Sequence, residues 1–267
     1  MPQPEKGRRP VGSLALQSIG ADLAAGPGET GLFAADTATK PTLCFVHIPK
    51  TGGSAIRDTL RVLRGNQSVF WLDSRESFEA QRRMTHADFK SFDAVGGHVS
   101  VAAFRHLVVA PRIVASLVRD PVRRAISLLH YIQEGDWHHP LHAELRNLSV
   151  AQALEKSTAY RADVTNAQCW MLGLDGPSPE TLPDTEDERW MLRSTDMADS
   201  LMASLCSAFG WQPVELPHLN RAHDPAYFER LATPEAVRLL TELNVRDLAL
   251  LKAVERMSAP ENLELPV

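Results

Sequence analysis

A short apolar run that passes through two adjacent glycines into a helical pattern is the feature of this sequence that most limits its fold. The run TLCFV ends at His47, and the segment IPKTGGS follows it. Ile56, Leu60 and Leu63 then recur at helical spacing. A strand that ends in a glycine turn and opens a helix exposes backbone N–H groups, and the helix dipole makes that turn electropositive. The segment therefore predicts an anion-binding turn at the end of a buried strand.

The residues of this turn suit a phosphate or a similar anion. Gly52 and Gly53 let the backbone approach an anion closely. Lys50 adds a positive charge, and Thr51 and Ser54 add hydroxyl donors. The same residues are also consistent with an ordinary strand-to-helix turn beside a surface lysine. Because the lysine precedes the glycines, the GxxxxGK[ST] pattern of P-loop ATPases is absent, which disfavours ATP hydrolysis but not a phosphate-bearing ligand.

A second candidate site follows the apolar run RIVASLV. This run predicts a strand that ends at Arg119, and Asp120 is placed as the N-cap of the next helix, with a proline at its first position. Ligands of open α/β sheets bind at the carboxyl ends of the strands, so Arg119 and Ser127 can hold a second phosphate there. The alternative is a capped helix with Arg123 and Arg124 on its solvent face.

Strand and helix patterns alternate along the first half of the chain. Predicted strands cover residues 42–47, 68–72, 94–100 and 112–118. Predicted helices cover residues 53–64, 74–84 and 120–133, followed by helical patterns near 141–156, 163–172, 186–209 and 233–256. This order predicts an α/β fold with a P-loop-NTPase-like parallel sheet flanked by helices and a largely helical C-terminal half.

The composition of the first 40 residues differs from that of the rest. Residues 1–40 are rich in Gly, Pro, Ala and Thr and show little periodicity, which predicts a loosely ordered arm with a short helix near 12–24. Residues 41–260 are predicted to form a single domain. No apolar run reaches the roughly 18 residues that a membrane helix needs, so we expect no membrane span and a cytoplasmic location.

Charge and cysteine content limit the partners. The net charge is −5, so nucleic acid is not an expected partner and an anion site must be a local basic patch. The three cysteines, at 44, 169 and 206, form no CxxC motif and favour a reducing compartment. His138 and His142 could share a helix face as metal ligands, but Pro140 interrupts that helix and no third ligand is evident. No metal site is predicted.

The two anion motifs together resemble those of a known family. HIPKTGGS followed by RDPVRRAIS is similar to the motifs of sulfotransferases that use 3′-phosphoadenosine 5′-phosphosulfate, above all the carbohydrate group that includes the heparan and uronyl O-sulfotransferases. The chain resembles a soluble, bacterial-type member. The resemblance implies that Arg119 and Ser127 bind the 3′-phosphate of this co-substrate. It also implies that the 5′-phosphosulfate is bound by Lys50, Thr51, Gly52, Gly53 and Ser54.

Weaker likenesses extend the resemblance to about residues 42–256. GGHVS resembles a segment whose histidine is the catalytic base in the family, which is His98 here. TNAQCWML and LPHLNRAH resemble later segments, which leaves open whether ligand is contacted by His47, Asn166, Gln168, Asn220 or Arg221. The membrane anchor and paired cysteines of Golgi members are missing, and residues 1–40 have no family counterpart.

The sequence therefore predicts an enzyme that moves a sulfuryl group from 3′-phosphoadenosine 5′-phosphosulfate to an acceptor hydroxyl, on a carbohydrate by resemblance. Lys50 and the N–H groups of the turn would stabilise the leaving phosphate, and His98 would accept the acceptor's proton. No metal is required by this scheme. A nucleotide kinase or NTPase of similar fold is one alternative, and a non-catalytic nucleotide- or glycan-binding module is another.

Overall fold

The structure is a computed structural model that describes residues 40–136, 138–174, 182–183, 185, 187–217 and 226–258. The helix expected near 12–24 lies outside the described residues, as do Asn220 and Arg221. Among the helices that are described, none is long and apolar enough to cross a membrane.

One parallel sheet organises the described chain. Its strands are β1 (Thr42–Val46), β2 (Val69–Leu72), β3 (Ala94–Gly97), β4 (Arg112–Val118) and β5 (Glu188–Ser194). Their order across the sheet is β2-β3-β1-β4-β5, and every neighbouring pair is parallel. Because β1 lies between β3 and β4, the turns that follow these three strands meet at one edge of the sheet. The predicted fold class is confirmed.

Helices cover both faces of this sheet. The helices of the first half are α1 (Gly53–Arg64), α2 (Arg75–Gln81), α3 (His86–Lys90), α4 (Val101–Leu107) and α5 (Pro121–His130). The second half adds α6 (His142–Leu145), α7 (Val150–Lys156), α8 (Thr158–Val164), α9 (Ala167–Met171), α10 (Ala198–Phe209), α11 (Tyr227–Leu231), α12 (Pro234–Leu243) and α13 (Val245–Met257). The predicted Asp120 cap is confirmed, since its carboxylate accepts from the backbone N–H of Arg123, and Ser74 forms a capping box with Ser77 at the start of α2.

The central strand is buried on both sides. Leu43 and Phe45 pack with α1 and α10, whereas Cys44 and Val46 face the opposite core, which includes side chains of α4 and α13. All four side chains are fully buried, as expected for a parallel sheet between two helical layers. Burying a side chain such as that of Phe45 stabilises the fold by about 1.5–3 kcal/mol. A third core joins α5, α7, α8 and α12 in the helical half.

The predicted helix over 186–209 is wrong in its first part. Residues Glu188–Ser194 form the edge strand β5, paired with β4 from Arg112 opposite Glu188 to Val118 opposite Ser194, and a helix begins only at Ala198. Buried and more exposed residues alternate along ERWMLRS, which suits an edge strand with one face toward the core and the other toward solvent. Burial alone would raise the pKa of Glu188, but the guanidiniums of Arg105 and Arg112 lower it to about 2.

Three further predicted helices are interrupted. The structure has two helices, α6 and α7, where one was predicted over 141–156. The region predicted as a helix over 163–172 holds the end of α8 and all of α9. The region predicted as a helix over 233–256 is divided into α12 and α13. Asn244 separates α12 from α13. The helix predicted over 120–133 ends as an α-helix at His130, and a π-helical turn, Tyr131–Gly135, continues it. Such turns are frequent at functional sites.

Candidate active site

The first turn leaves the start of α1 open. Gly52 is the N-cap residue of α1, with φ +90, in the left-handed region where glycine is the residue without a steric cost. In the described part of the chain no side chain caps α1, and its first turn contains no acidic residue. The first N–H groups of α1 and the positive end of its dipole are therefore available to an anion.

The second glycine of the turn is required by close packing. A Cβ placed on Gly53 would lie 2.2 Å from Cδ2 of His47, which is far inside van der Waals contact. The backbone of the turn therefore rests directly on the imidazole of His47, which is 5% exposed. Burial lowers the pKa of His47 well below its usual value, with the charges of His98, Arg57 and Lys50 adding to the effect, so this ring is neutral.

Lys50 is held in an unusual conformation beside an aromatic ring. Its φ is +70, which costs energy in a residue with a side chain and is most often found at functional sites. The Nζ atom lies 4.3 Å from the ring centroid of Tyr131 in the π-helical turn. Burial, followed by the charge of Arg119, lowers the pKa of Lys50 to about 8. The ammonium is thus partly desolvated, which strengthens its interaction with any anion that approaches.

The second predicted site contacts the first. Arg119 follows the last residue of β4, and its Nη1 donates a hydrogen bond of 3.0 Å to the carbonyl oxygen of Lys50. The structure therefore brings together the two basic side chains that the sequence singled out, across 69 residues of chain. Parallel pairing of β1 with β4 accounts for this contact, because it places both strand ends at the same edge of the sheet.

Thr195, directly after β5, ties the two turns together. Its hydroxyl lies 3.1 Å from the carbonyl oxygen of Thr51 and 3.2 Å from that of Val118, so its single proton can be shared between the two turns. The Thr51 hydroxyl in turn donates to the carbonyl of Ile48 at 2.9 Å, which closes the loop on itself. The sequence analysis missed Thr195 because the preceding strand was assigned to a helix, and the residue has no local motif that could have identified it.

His98 lies against the base of the first turn. It follows β3, and its Nδ1 is 2.7 Å from the carbonyl oxygen of His47, so Nδ1 carries the proton and Nε2 has the lone pair. The two imidazoles stack with centroids 4.2 Å apart. Burial lowers the pKa of His98 below its usual value, and the charge of Lys50 lowers it further. The hydrogen bond to His47 and the Asp73 carboxylate raise the pKa but do not cancel the effect of burial. His98 is thus a neutral base close to a lysine.

The helix after the second site contains one buried arginine. Ser127 lies on α5 and is 9% exposed, which leaves little of its surface open to a ligand. The alternative interpretation placed both arginines of this helix at the solvent face. Arg123 is exposed, but Arg124 is buried and donates from Nη2 to the carbonyl oxygen of Asp163 at 2.9 Å, so that interpretation is wrong for Arg124.

The amides of Asn166 and Gln168, whose contact with ligand the sequence left open, bond to the backbone of the protein. Gln168 binds both backbone groups of Arg119, and Asn166 accepts from the backbone N–H groups at the start of α13. His142 also binds a backbone group, since its Nδ1 is 2.7 Å from the carbonyl oxygen of Ile132. Within the described ranges no group of three potential metal ligands occurs.

The sheet order and the open turn after β1 define a P-loop-like α/β fold, with a helix start at the strand ends that no described side chain caps. No family model and no curated protein matches this chain. Among solved structures, mouse sulfotransferase SULT7A1 in complex with PAP has a TM-score of 0.50 and 14% identity, over 82% of this chain and 89% of that one. A sulfotransferase from Alicyclobacillus acidocaldarius has a TM-score of 0.41 and 18% identity, over 82% and 97%. The chain therefore shares its fold with a sulfotransferase.

Proposed function

We propose that this protein is a sulfotransferase that uses 3′-phosphoadenosine 5′-phosphosulfate as its sulfuryl donor. The observation that carries the proposal is the hydrogen bond from Arg119 to the carbonyl of Lys50. It places a second basic group directly beside a turn with open helix N–H groups, so that both can contact one ligand that carries more than one anionic group. The mouse enzyme of similar fold was solved with PAP, which supports a nucleotide with this chemistry.

Lys50 and the start of α1 are the groups that would stabilise the reaction. Sulfuryl transfer leaves negative charge on the phosphate oxygen that is released. A partly desolvated ammonium and the N–H groups of residues 53 and 54 are preorganised for this charge, and such stabilisation is usually the largest single contribution to catalysis. Arg119 and Ser127 would bind the 3′-phosphate, and Arg119 is the stronger of the two because its guanidinium can donate two parallel bonds.

His98 is the residue that would accept the proton of the acceptor hydroxyl. Its Nδ1 proton is committed to the carbonyl of His47, so only Nε2 can act as the base. Its lowered pKa keeps the imidazole neutral at physiological pH, which a general base requires. The acceptor class that we propose is a carbohydrate hydroxyl, on the basis of the motif resemblance.

Donor binding tests this function most directly. We expect 3′,5′-bisphosphoadenosine to bind at least about tenfold more tightly than 5′-AMP, which corresponds to about 1.4 kcal/mol. Isothermal titration calorimetry of the full chain with each nucleotide measures the ratio. Equal affinities would rule out recognition of a 3′-phosphate and with it the proposed donor.

Transfer assays separate the proposal from its rivals. Labelled donor incubated with a set of carbohydrate acceptors should give a labelled product, at the same rate with and without EDTA. Magnesium-dependent turnover of ATP would instead identify a kinase or NTPase. Tight bisphosphate binding without transfer to any acceptor class would favour a non-catalytic binding module.

A further inference from the structure

The backbone of Arg119 is held by a side chain from the helical half. The Gln168 side chain accepts from the N–H of Arg119 through Oε1 at 2.9 Å and donates through Nε2 to the carbonyl of Arg119 at 2.8 Å. Gln168 is fully buried, so both of its bonds form away from water, where an unpaired amide would be costly. This two-point contact fixes the peptide groups on both sides of Arg119, and therefore the point from which its guanidinium extends.

Gln168 is itself fixed by the last described helix. Asp247 is fully buried, and its carboxylate accepts from the backbone N–H of Gln168 at 3.1 Å and from that of Cys169 at 2.9 Å, so it caps α9 from α13. In return, the Asn166 side chain accepts from the N–H groups of Arg246 and Asp247 at the start of α13. Side chains of α13 and of the residue before α9 thus cap each other's helices, and these bonds fix the start of α9 relative to α13.

The buried Arg124 adds charge to this network. Its guanidinium interacts electrostatically with the carboxylate of Asp247, and the positive charge of Arg119 is also close enough to affect it. The positive Arg124 and the negative Asp247 are therefore both buried near the end of β4. The uncharged Gln168 connects them to Arg119, because its backbone binds Asp247 and its side chain binds Arg119. Because both polar atoms of the Gln168 side chain are bonded to Arg119, the network leaves little freedom for the strand end.

We propose that Gln168, positioned by Asp247, is the residue that sets the preference for a 3′-phosphate by fixing the backbone of Arg119. The proposal rests on the proposed function, because it assumes that Arg119 reads the 3′-phosphate. Gln168 is a positioning residue, since both polar atoms of its side chain are engaged by protein backbone. The selectivity of the first half of the chain is in this way determined by two residues of the second half.

The test compares the two nucleotides in variants of the full chain. Gln168→Met retains the length of the side chain but removes both bonds to Arg119. We expect its preference for 3′,5′-bisphosphoadenosine over 5′-AMP to fall by about threefold or more, with the affinity for 5′-AMP within about twofold of wild type. A general loss of stability lowers both affinities together and does not change their ratio. Calorimetry with both nucleotides, together with a thermal melt, provides these readouts.

Tyr160→Phe is the matched control. It removes one buried hydrogen bond of the same helical half, from the Tyr160 hydroxyl to the carbonyl oxygen of Ala125 at 3.0 Å, without touching Arg119. Its nucleotide preference should equal that of wild type. The inference is overturned if Gln168→Met keeps the wild-type preference, or if the control loses it to the same extent.

A second variant decides the matter if Gln168→Met does not fold. The carboxyl introduced by Gln168→Glu can donate to the carbonyl of Arg119 only when it is protonated. Because burial at this site raises the pKa of a carboxyl, the variant's nucleotide preference, normalised to wild type at each pH, should fall as the pH rises through that pKa within a titration from about pH 5 to about pH 9. A flat, wild-type-like ratio overturns the inference. The proposed function fails separately, because in that case the wild-type protein itself shows no preference for the bisphosphate.

Discussion

The turns after β1 and β4 lie side by side at the same edge of the sheet, yet they differ in how the following helix begins. The helix after β1 starts at a glycine, and within the described residues no side chain occupies its first N–H groups. The helix after β4 starts at Asp120, whose carboxylate accepts from the N–H of Arg123 at 2.7 Å. The N–H groups at the start of α1 can therefore bind an anion. At the start of α5 the Asp120 carboxylate already accepts a hydrogen bond from one of the corresponding N–H groups.

This difference gives the two turns different means of binding an anion. An anion at the start of α5 would meet the charge of Asp120, so binding there must depend on side chains such as Arg119. Main-chain N–H groups have fixed positions, so they can stabilise charge that develops on a particular atom during a reaction. A long side chain can instead reach and bind a group that lies farther from the reacting atoms. Under the proposed function, reaction chemistry would belong to the turn after β1 and ligand selectivity to the turn after β4.

The largest effect is expected at His98, which is bonded to the first residue of the β1 turn. His98→Ala should lower the rate of sulfuryl transfer by about a hundred- to ten-thousandfold, because the general base is removed. Affinity for 3′,5′-bisphosphoadenosine and the melting temperature should stay near wild type. Single-turnover assays with labelled donor, calorimetry and a thermal melt give the three quantities. A loss of only a few-fold would exclude His98 as the base.

An intermediate effect is expected at Arg119, in the turn after β4. Arg119→Ala should remove most of the roughly tenfold preference for the bisphosphate over 5′-AMP. Affinity for 5′-AMP should change much less, because its single phosphate belongs to the turn after β1. Arg123→Ala is the matched control, since Arg123 is exposed on the next helix. The division of roles is wrong if Arg119→Ala weakens both nucleotides equally.

The smallest effect is a dependence of binding on pH. The pKa of Lys50 is lowered to about 8, and a bound anion favours its protonated form. Affinity for 5′-AMP should therefore be close to its maximum at pH 7 and below, and should decrease as the pH rises through 8, by about fourfold between pH 7 and pH 8.5. Lys50→Arg, whose guanidinium stays charged, should give a flat profile in the same titrations. A wild-type profile without this slope would place Lys50 away from the phosphate.

The sequence predicted the elements whose causes are local. The strands before the two turns and the Asp120 cap depend on residues within a few positions of one another, and they are confirmed. The arrangement of Lys50 and Arg119 followed from a general property of parallel sheets, which place strand ends at one edge. The roles of the predicted site residues remain predictions.

The parts that sequence reasoning missed depend on distant partners. Glu188 and its neighbours look too polar for a strand until Arg105 and Arg112 are seen to neutralise the glutamate. Nothing near Gln168 indicates that its amide binds Arg119, 49 residues away. Arg124 resembles any arginine on a helix surface, and only the packing of α8 against α5 makes it buried.

The hydrogen bonds of Thr195 to the β1 turn and of Asp247 to α9 have a consequence for synthesis of the protein. They join the β1 turn to residue 195 and Gln168 to residue 247. At translation rates of about 5–20 residues per second, a ribosome that has made Lys50 needs roughly 10 to 40 seconds more to reach Asp247. During that time the β1 turn exists without the groups that hold its neighbour in place. If the protein binds the bisphosphate as proposed, its full selectivity can arise only after the ribosome has passed residue 247, and bisphosphate binding would then be a marker of late folding.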